Sequence, residues 1–206
     1  MIFKYILVAI IGYFLGCSNM AVYIAKIKHV DLKNNGTGNP GTSNAILLMG
    51  KKVGVIVGIH DIGKGFLAVL IATLCFADLL YAPIIAGVAS IMGHMFPFWM
   101  KFKGGKGFAT YIGVSVALDW KMGVIILVVA LILALISDYI VVATMIVIIC
   151  NPIANLLFNN IVNGLLLFIP TIIIIYLHRT NLKAIANGTE RKIRKGLNGG
   201  YKSEND

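Results

Sequence analysis

Charge is scarce in this sequence. Only 13% of its 206 residues are Asp, Glu, Lys or Arg, against about a quarter in a soluble globular domain, whereas 59% are hydrophobic. That shortage excludes a water-soluble domain of ordinary surface and identifies one polytopic membrane domain. Acidic residues are the scarcer sign, 8 against 18 basic, so the formal net charge is +10. Lysines beside apolar runs orient a protein in a bilayer and attract anionic substrates or lipids, so the excess implies no nucleic-acid partner. The three cysteines, Cys17, Cys75 and Cys150, lie in apolar runs and form no C-x-x-C pair, and they read as small core residues. No repeat of fixed period is present. Leu15-Gly16-Cys17 faintly resembles a lipoprotein cleavage site, but the apolar run continues to Ile24, as in a retained span.

What is abundant is apolar sequence of membrane-crossing length. Runs at Ile2–Ala25, Gly65–Ala82, Pro83–Met100 and Tyr139–Phe158 predict spans. Shorter runs at Phe108–Leu118 and Met122–Ser137 flank Asp119-Trp120-Lys121, and Ile161–Leu177 is nearly continuous. The total is about seven helices, an all-α fold. Ala45–Ile59, interrupted by Lys51-Lys52, reads as a short interfacial or re-entrant helix. Gly12-x-x-x-Gly16 and Gly54-x-x-x-Gly58 favour close helix packing. With an odd number of crossings the loops fall into two sets. All the Lys and Arg residues except Lys4 and Lys121 belong to the set that follows spans one, three and seven. Positive charge stays cytoplasmic, so the N-terminus is expected outside and the C-terminus inside. One membrane domain is expected over residues 1–195, with 196–206 a mobile cytoplasmic tail.

The stretch from Gly93 to Thr110 joins an apolar run to a loop holding Lys101, Lys103, Gly104, Gly105, Lys106 and Gly107. Glycines let backbone N–H groups turn toward one point, lysines add charge, and a helix starting at Phe108 would aim its positive end there. The pattern predicts an anion cradle at a membrane surface; the plainer alternative is a juxtamembrane lysine cluster that only sets topology. A Walker loop is excluded, because Met100 stands where it needs glycine and Gly107 where it needs a hydroxyl. In the first basic loop, Thr37, Thr42 and Ser43 can donate to phosphate oxygens, Asn39 and Asn44 can donate and accept, and Lys33 adds charge. An ordinary turn-rich connector, with Ser43 or Asn44 capping the next helix, would look the same. In the third basic segment His178 and Asn181 are three apart, one face of a continuing helix, with Arg179 and Glu190 nearby.

Taken together, the three segments resemble the bacterial PlsY-type family of acyl-phosphate:glycerol-3-phosphate acyltransferases. Gly36-Thr37-Gly38-Asn39-Pro40-Gly41-Thr42-Ser43-Asn44 is similar to its first motif, and Gly93 to Thr110 keeps nearly all of its second. A connecting D-x-x-K-G appears as Asp61-Ile62-Gly63-Lys64-Gly65, and the third motif as His178-Arg179-Thr180-Asn181 with Gly188-Thr189-Glu190. The resemblance implies a seven-helix bacterial plasma-membrane enzyme with its site facing the cytoplasm. It implies acyl transfer from fatty acyl-phosphate to the 1-hydroxyl of glycerol 3-phosphate, with no metal and no cofactor. His178, Asn181 and Thr37 are the catalytic positions it suggests, with the lysines, glycines and polar residues named above binding substrate.

There are departures. Thr37 replaces a serine, Leu47 falls where arginine is expected, and Gly16-Cys17-Ser18-Asn19 lacks an expected proline. Loss of that arginine removes a bidentate phosphate ligand, which leaves open another acceptor or lost activity. Two other classes compete. An acyl-CoA acyltransferase of the H-x-x-x-x-D type is disfavoured, because Asn34, Gly65, Trp99 and Lys183 stand five residues after the four histidines. A transporter or binding protein for organic phosphates would more often bury charge in mid-span, where only Asp78 is a candidate, near a span end.

Overall fold

A computed structural model describes residues 1–194; the expected tail, 196–206, lies outside the described residues. The described chain is helical, without strands. Five helical stretches are long and apolar enough to cross a bilayer, or six if the bent Ile161–Leu177 and Arg179–Ala186 pair is one span, and the shorter Phe108–Leu118 is apolar as well.

The first apolar run is two helices, α1 (Ile2–Gly16) and α2 (Met20–Ile27). No proline is needed for the break: the Asn19 side chain caps α2 by accepting from Val22 N at 3.1 Å, which competes with continuation of α1. Glycine spacing on α1 works as expected. A Cβ on Gly12 would come within 2.9 Å of Ala86 Cα, and one on Gly16 within 2.8 Å of Ser90 Cα, so only glycines allow this approach to α5 (Ala82–Met95).

The second span differs from its expected place. Gly50, at φ +90°, ends α3 (Thr42–Met49), and α4 then runs unbroken from Lys51 to Cys75. The apolar stretch from 45 to 59 is therefore no re-entrant unit; most of it is the first half of this span. Residues 76–81 form the turn that follows. Lys64, sorted above with the loop lysines, lies buried inside α4. Hydropathy missed this because Asp61 and Lys64 interrupt the run, yet one helical turn apart they neutralise each other.

Beyond α5 come a 3₁₀ turn (Phe98–Met100), α6 (Phe108–Leu118), α7 (Trp120–Ser137), α8 (Ile140–Ala154) with a π turn at Asn155–Asn159, α9 (Ile161–Leu177) and α10 (Arg179–Ala186). The core of α5, α6, α8 and α9 buries Ile84, Ile91, Tyr111, Ile148, Leu167 and Ile174. Inside it Asn151 donates to Tyr111 Oη at 3.1 Å and Ser115 Oγ at 3.0 Å, joining α8 to α6 where water cannot substitute. Cys17 is buried as expected, but Cys75 and Cys150 are exposed on outer helix faces and are not core residues.

The polar contacts sort into two ends. One end holds the Lys4–Asp78 ion pair at 2.7 Å and the Asn159–Asp119 bond at 3.0 Å. The other holds the contacts of Lys106 with Asn181, Arg191 with Gly36, and Arg194 with Asp138. The loops after α2 and α5 and the segment after α9 thus share one end.

Candidate active site

The glycine loop is set by the end of α5. Gly104 N donates to Met95 O at 2.9 Å and Gly105 N to His94 O at 3.1 Å, because the last carbonyls of a helix need partners. Those two N–H groups are turned to the protein rather than to a ligand, a correction to the expected glycine cradle. Lys101 and Phe102 both adopt the left-handed region, reversing the chain after the 3₁₀ turn. Tyr13 Oη donates to Phe96 O at 2.7 Å, and Trp99 stacks on Tyr23 with ring centroids 5.8 Å apart, fastening the reversal to α1 and α2. Gly107, at φ +92°, starts α6, and no side chain caps that helix. Lys106 therefore stands beside a helix N-terminus, whose dipole favours anions.

Lys106 Nζ donates to Asn181 Oδ1, and Asn181 Nδ2 donates to Glu190 Oε1 at 2.8 Å. An amide thus stands between the ammonium and the carboxylate. Burial pushes the Lys106 ammonium below its ordinary pKa, against a smaller upward pull from Glu190. His178 is 5% exposed, and its Nδ1 lies 2.9 Å from Ile174 O. A carbonyl can only accept, so Nδ1 carries the proton, and in the neutral ring Nε2 keeps its lone pair. Burial, helped by the Lys106 charge and opposed by the bond to Ile174 O, lowers the His178 pKa to about 4. This histidine is neutral at pH 7.

The first loop is shaped from within. Asn44, fully buried, donates to Leu32 O at 3.0 Å and Asn35 O at 3.3 Å and accepts from Thr37 N at 2.8 Å. Its amide is committed to the loop, leaving no N–H for a ligand. Thr37 is exposed, and its Oγ1 accepts from Asn39 N at 3.4 Å; Ser43, also exposed, lies in the first turn of α3. Arg191 Nη2 donates to Gly36 O at 3.4 Å, joining the third segment to the first loop. A cavity of about 490 Å³ opens between that loop and the glycine loop, walled by Val22, Ala25, Lys26, Lys33, Lys101 and Lys103. Arg179 is engaged elsewhere: its guanidinium lies 3.9 Å from the Tyr176 ring centre and donates to Tyr176 O at 2.8 Å.

Comparison with known proteins decides the family. A sequence profile described as glycerol-3-phosphate acyltransferase matches residues 6–188. This chain belongs to that family. Glycerol-3-phosphate acyltransferase from Clostridioides difficile (strain 630) is 35% identical over 197 residues, covering 93% of this chain and 97% of that one. The protein of the same name from Brucella anthropi is 36% identical over 185 residues, covering 89% and 90%. Among solved structures, the glycerol 3-phosphate form of PlsY (YgiH), an integral membrane glycerol 3-phosphate acyltransferase, superposes with TM-score 0.88 at 33% identity, covering 97% of this chain and all of that one. The lysophosphatidic acid form of PlsY gives 0.84 at 32%, covering 94% and 98%.

Against this acyltransferase frame, sequence reasoning missed two groups. In the sequence Arg191 is one of many basic residues after the last span, with nothing to single it out. Asp61, Lys64 and His94 stand in the sequence only as motif letters, although charged residues inside an apolar helix already mark a functional candidate. Leu47, where arginine was expected, borders the same backbone that Arg191 reaches: a Cβ on Gly36 would meet Leu47 Cδ2 at 2.8 Å.

Proposed function

We propose that this acyltransferase moves a fatty acyl group from acyl-phosphate to the 1-hydroxyl of glycerol 3-phosphate, releasing lysophosphatidic acid and inorganic phosphate. The observation that carries the reading is the meeting of Lys106, Asn181, Glu190 and a neutral His178 at the end where the first loop and the glycine loop also lie. An acyl-phosphate is a mixed anhydride with a good leaving group, so catalysis needs mainly position and charge. Lys106 binds a phosphate, and Asn181 orients it and the acceptor. The acceptor oxygen attacks the acyl carbonyl carbon, its proton passes to His178 Nε2, and the carbonyl-to-phosphate C–O bond breaks as phosphate leaves. Thr37, Ser43 and Asn39 present donors to the acyl-phosphate, with Lys33, Lys101 and Lys103 supplying field across the cavity. Asn44, Gly104 and Gly105 shape these surfaces. Carriage of the lysines and arginines at this end supports a cytoplasmic site.

Purified protein assayed with acyl-phosphate, and in parallel with acyl-CoA, tests the reaction. Turnover to lysophosphatidic acid only with acyl-phosphate is expected; turnover with acyl-CoA alone, or with neither, overturns it. Cysteines placed at Asn34, Lys103 or Asn187 should be shielded from impermeant reagents in whole cells, and labelling there would overturn the orientation.

A further inference from the structure

A second polar cluster lies beneath the glycine loop, in the helical core. Asp61 Oδ1 is 3.0 Å from Lys64 Nζ, 3.4 Å from His60 Nδ1 and 3.5 Å from His94 Nδ1. Asp61 is 2% exposed, Lys64 5% and His94 4%. Asp61 is ten positions into α4, about 15 Å along the helix. Lys64 Nζ also donates to Ser18 O at 2.7 Å, and Ser18 Oγ stands 2.9 Å from His60 Nε2. Trp99 Nε1 donates to the neighbouring Cys17 O at 2.9 Å. Lys64 thus satisfies one carbonyl of the break between α1 and α2 and Trp99 another, and through Asp61 and His94 the cluster ties that break to α4 and α5.

The same cluster touches the substrate loop through one ring. Of the atoms around Gly105, the three nearest to where a Cβ would stand all belong to His94, among them Cε1 at 2.7 Å and Cδ2 at 3.1 Å. The imidazole is the floor under Gly105, and Gly105 N is bonded to the His94 carbonyl as well. Lys106 is the next residue. If the cluster served only to hold helices together, apolar residues of similar volume would do so at no greater cost. His94 Nδ1 is moreover one of two buried side-chain polar atoms among the described residues that make no hydrogen bond. The group that faces it is the Asp61 carboxylate at 3.5 Å, which holds the ring by electrostatic attraction rather than by a hydrogen bond, while the opposite edge of the ring lies under Gly105.

We propose that Asp61 and His94 are positioning residues for acyl transfer: the carboxylate holds the imidazole, the imidazole sets the height of Gly105, and Gly105 sets where Lys106 meets phosphate. The inference rests on the reading of Lys106 as a phosphate ligand. The test is a set of purified variants assayed for KM and kcat, with melting temperature in detergent measured alongside. Asp61→Asn/Lys64→Gln removes both charges together, so no buried charge is orphaned. It should keep the melting temperature near wild type while raising KM for glycerol 3-phosphate tenfold or more, with a smaller fall in kcat. His94→Ala, Gly105→Ala and their combination form a cycle. Gly105→Ala should impair KM because its methyl meets the ring, and the combined variant should be no worse than Gly105→Ala alone. A wild-type KM in the Asp61→Asn/Lys64→Gln protein, or strictly additive effects in the cycle, would overturn the proposal. Should the Asp61→Asn/Lys64→Gln protein fail to fold, the His94 and Gly105 cycle decides. An unchanged KM in Lys106→Ala would bring down the site reading and the inference with it. A raised KM there with an additive cycle brings down the inference alone.

Discussion

Two lysine–carboxylate clusters in this protein are built from nearly the same side chains and are wired differently. In the core, Lys64 meets Asp61 directly at 3.0 Å, both are almost wholly buried, and a backbone carbonyl takes another of the ammonium's protons. At the loop end, Lys106 and Glu190 are separated by the amide of Asn181, and both are half-buried. A direct pair cancels its own field, which is what a charge inside a membrane helix requires. An interposed amide holds the lysine in place without cancelling it, so the field remains for an incoming anion. Wiring, more than residue type, separates a structural lysine from a substrate lysine here.

The largest effect should come from the neutral group beside the uncancelled charge. His178→Ala is expected to lower kcat by about 10² to 10⁴, the range for a positioned proton acceptor, with little change in KM. Turnover near wild type would make His178 only a buried interfacial side chain. The lowered pKa, about 4, adds a pH signature. An unshifted histidine would protonate below about 6.5, whereas here the base stays neutral down to about pH 4. Stability follows the same sign. The unfolded chain binds this proton more tightly, so stability is full above about pH 6.5 and falls as pH drops toward about 4. Melting temperatures of wild type and His178→Ala should therefore converge on acidification.

A smaller effect bears on the amide itself. Lys106→Ala removes a charged contact worth about 1.5 to 3 kcal/mol, so KM for glycerol 3-phosphate should rise roughly ten- to a hundredfold. Asn181→Asp should rewire this cluster into the closed form of the core pair, with a carboxylate directly on Lys106. If the comparison is right, that variant raises KM toward the Lys106→Ala value although the lysine is still present. A KM unchanged by Asn181→Asp would show that cancelling the lysine's charge does not matter.

How far the sequence disclosed these features depended on range. The all-helical membrane fold was legible because apolar run length is a local property. The start of α6 at Phe108 followed from the glycines before it. What failed was set by contacts distant in sequence. The second span was misplaced because the hydropathy of α4 is broken by Asp61 and Lys64, whose mutual neutralisation appears only on a helix packed against Ser18 and His94. Gly104 and Gly105 looked like free donors until the end of α5 claimed both. Arg179, drawn onto Tyr176, and Cys75 and Cys150, turned outward, depend likewise on helix faces that composition does not fix.

The smallest expected effect concerns Arg191, the residue that closes the loop end over the first motif. Its Nη2 reaches Gly36 O at 3.4 Å, a long bond to an exposed segment, beside the Leu47 side chain. Hydrogen bonds of that geometry in water contribute little, because solvent replaces them readily. A guanidinium that only steadies the loop should therefore be worth less than tenfold: Arg191→Gln, whose amide can still donate to the carbonyl, should stay within a few-fold of wild type in KM and kcat. A guanidinium on substrate phosphate behaves otherwise, because its bidentate charge has no replacement in glutamine or lysine. Losses above about tenfold in KM for acyl-phosphate or glycerol 3-phosphate, repeated in Arg191→Lys, would move Arg191 from loop support to the substrate. They would also give this chain a phosphate ligand on the third segment at the place where Leu47 offers none.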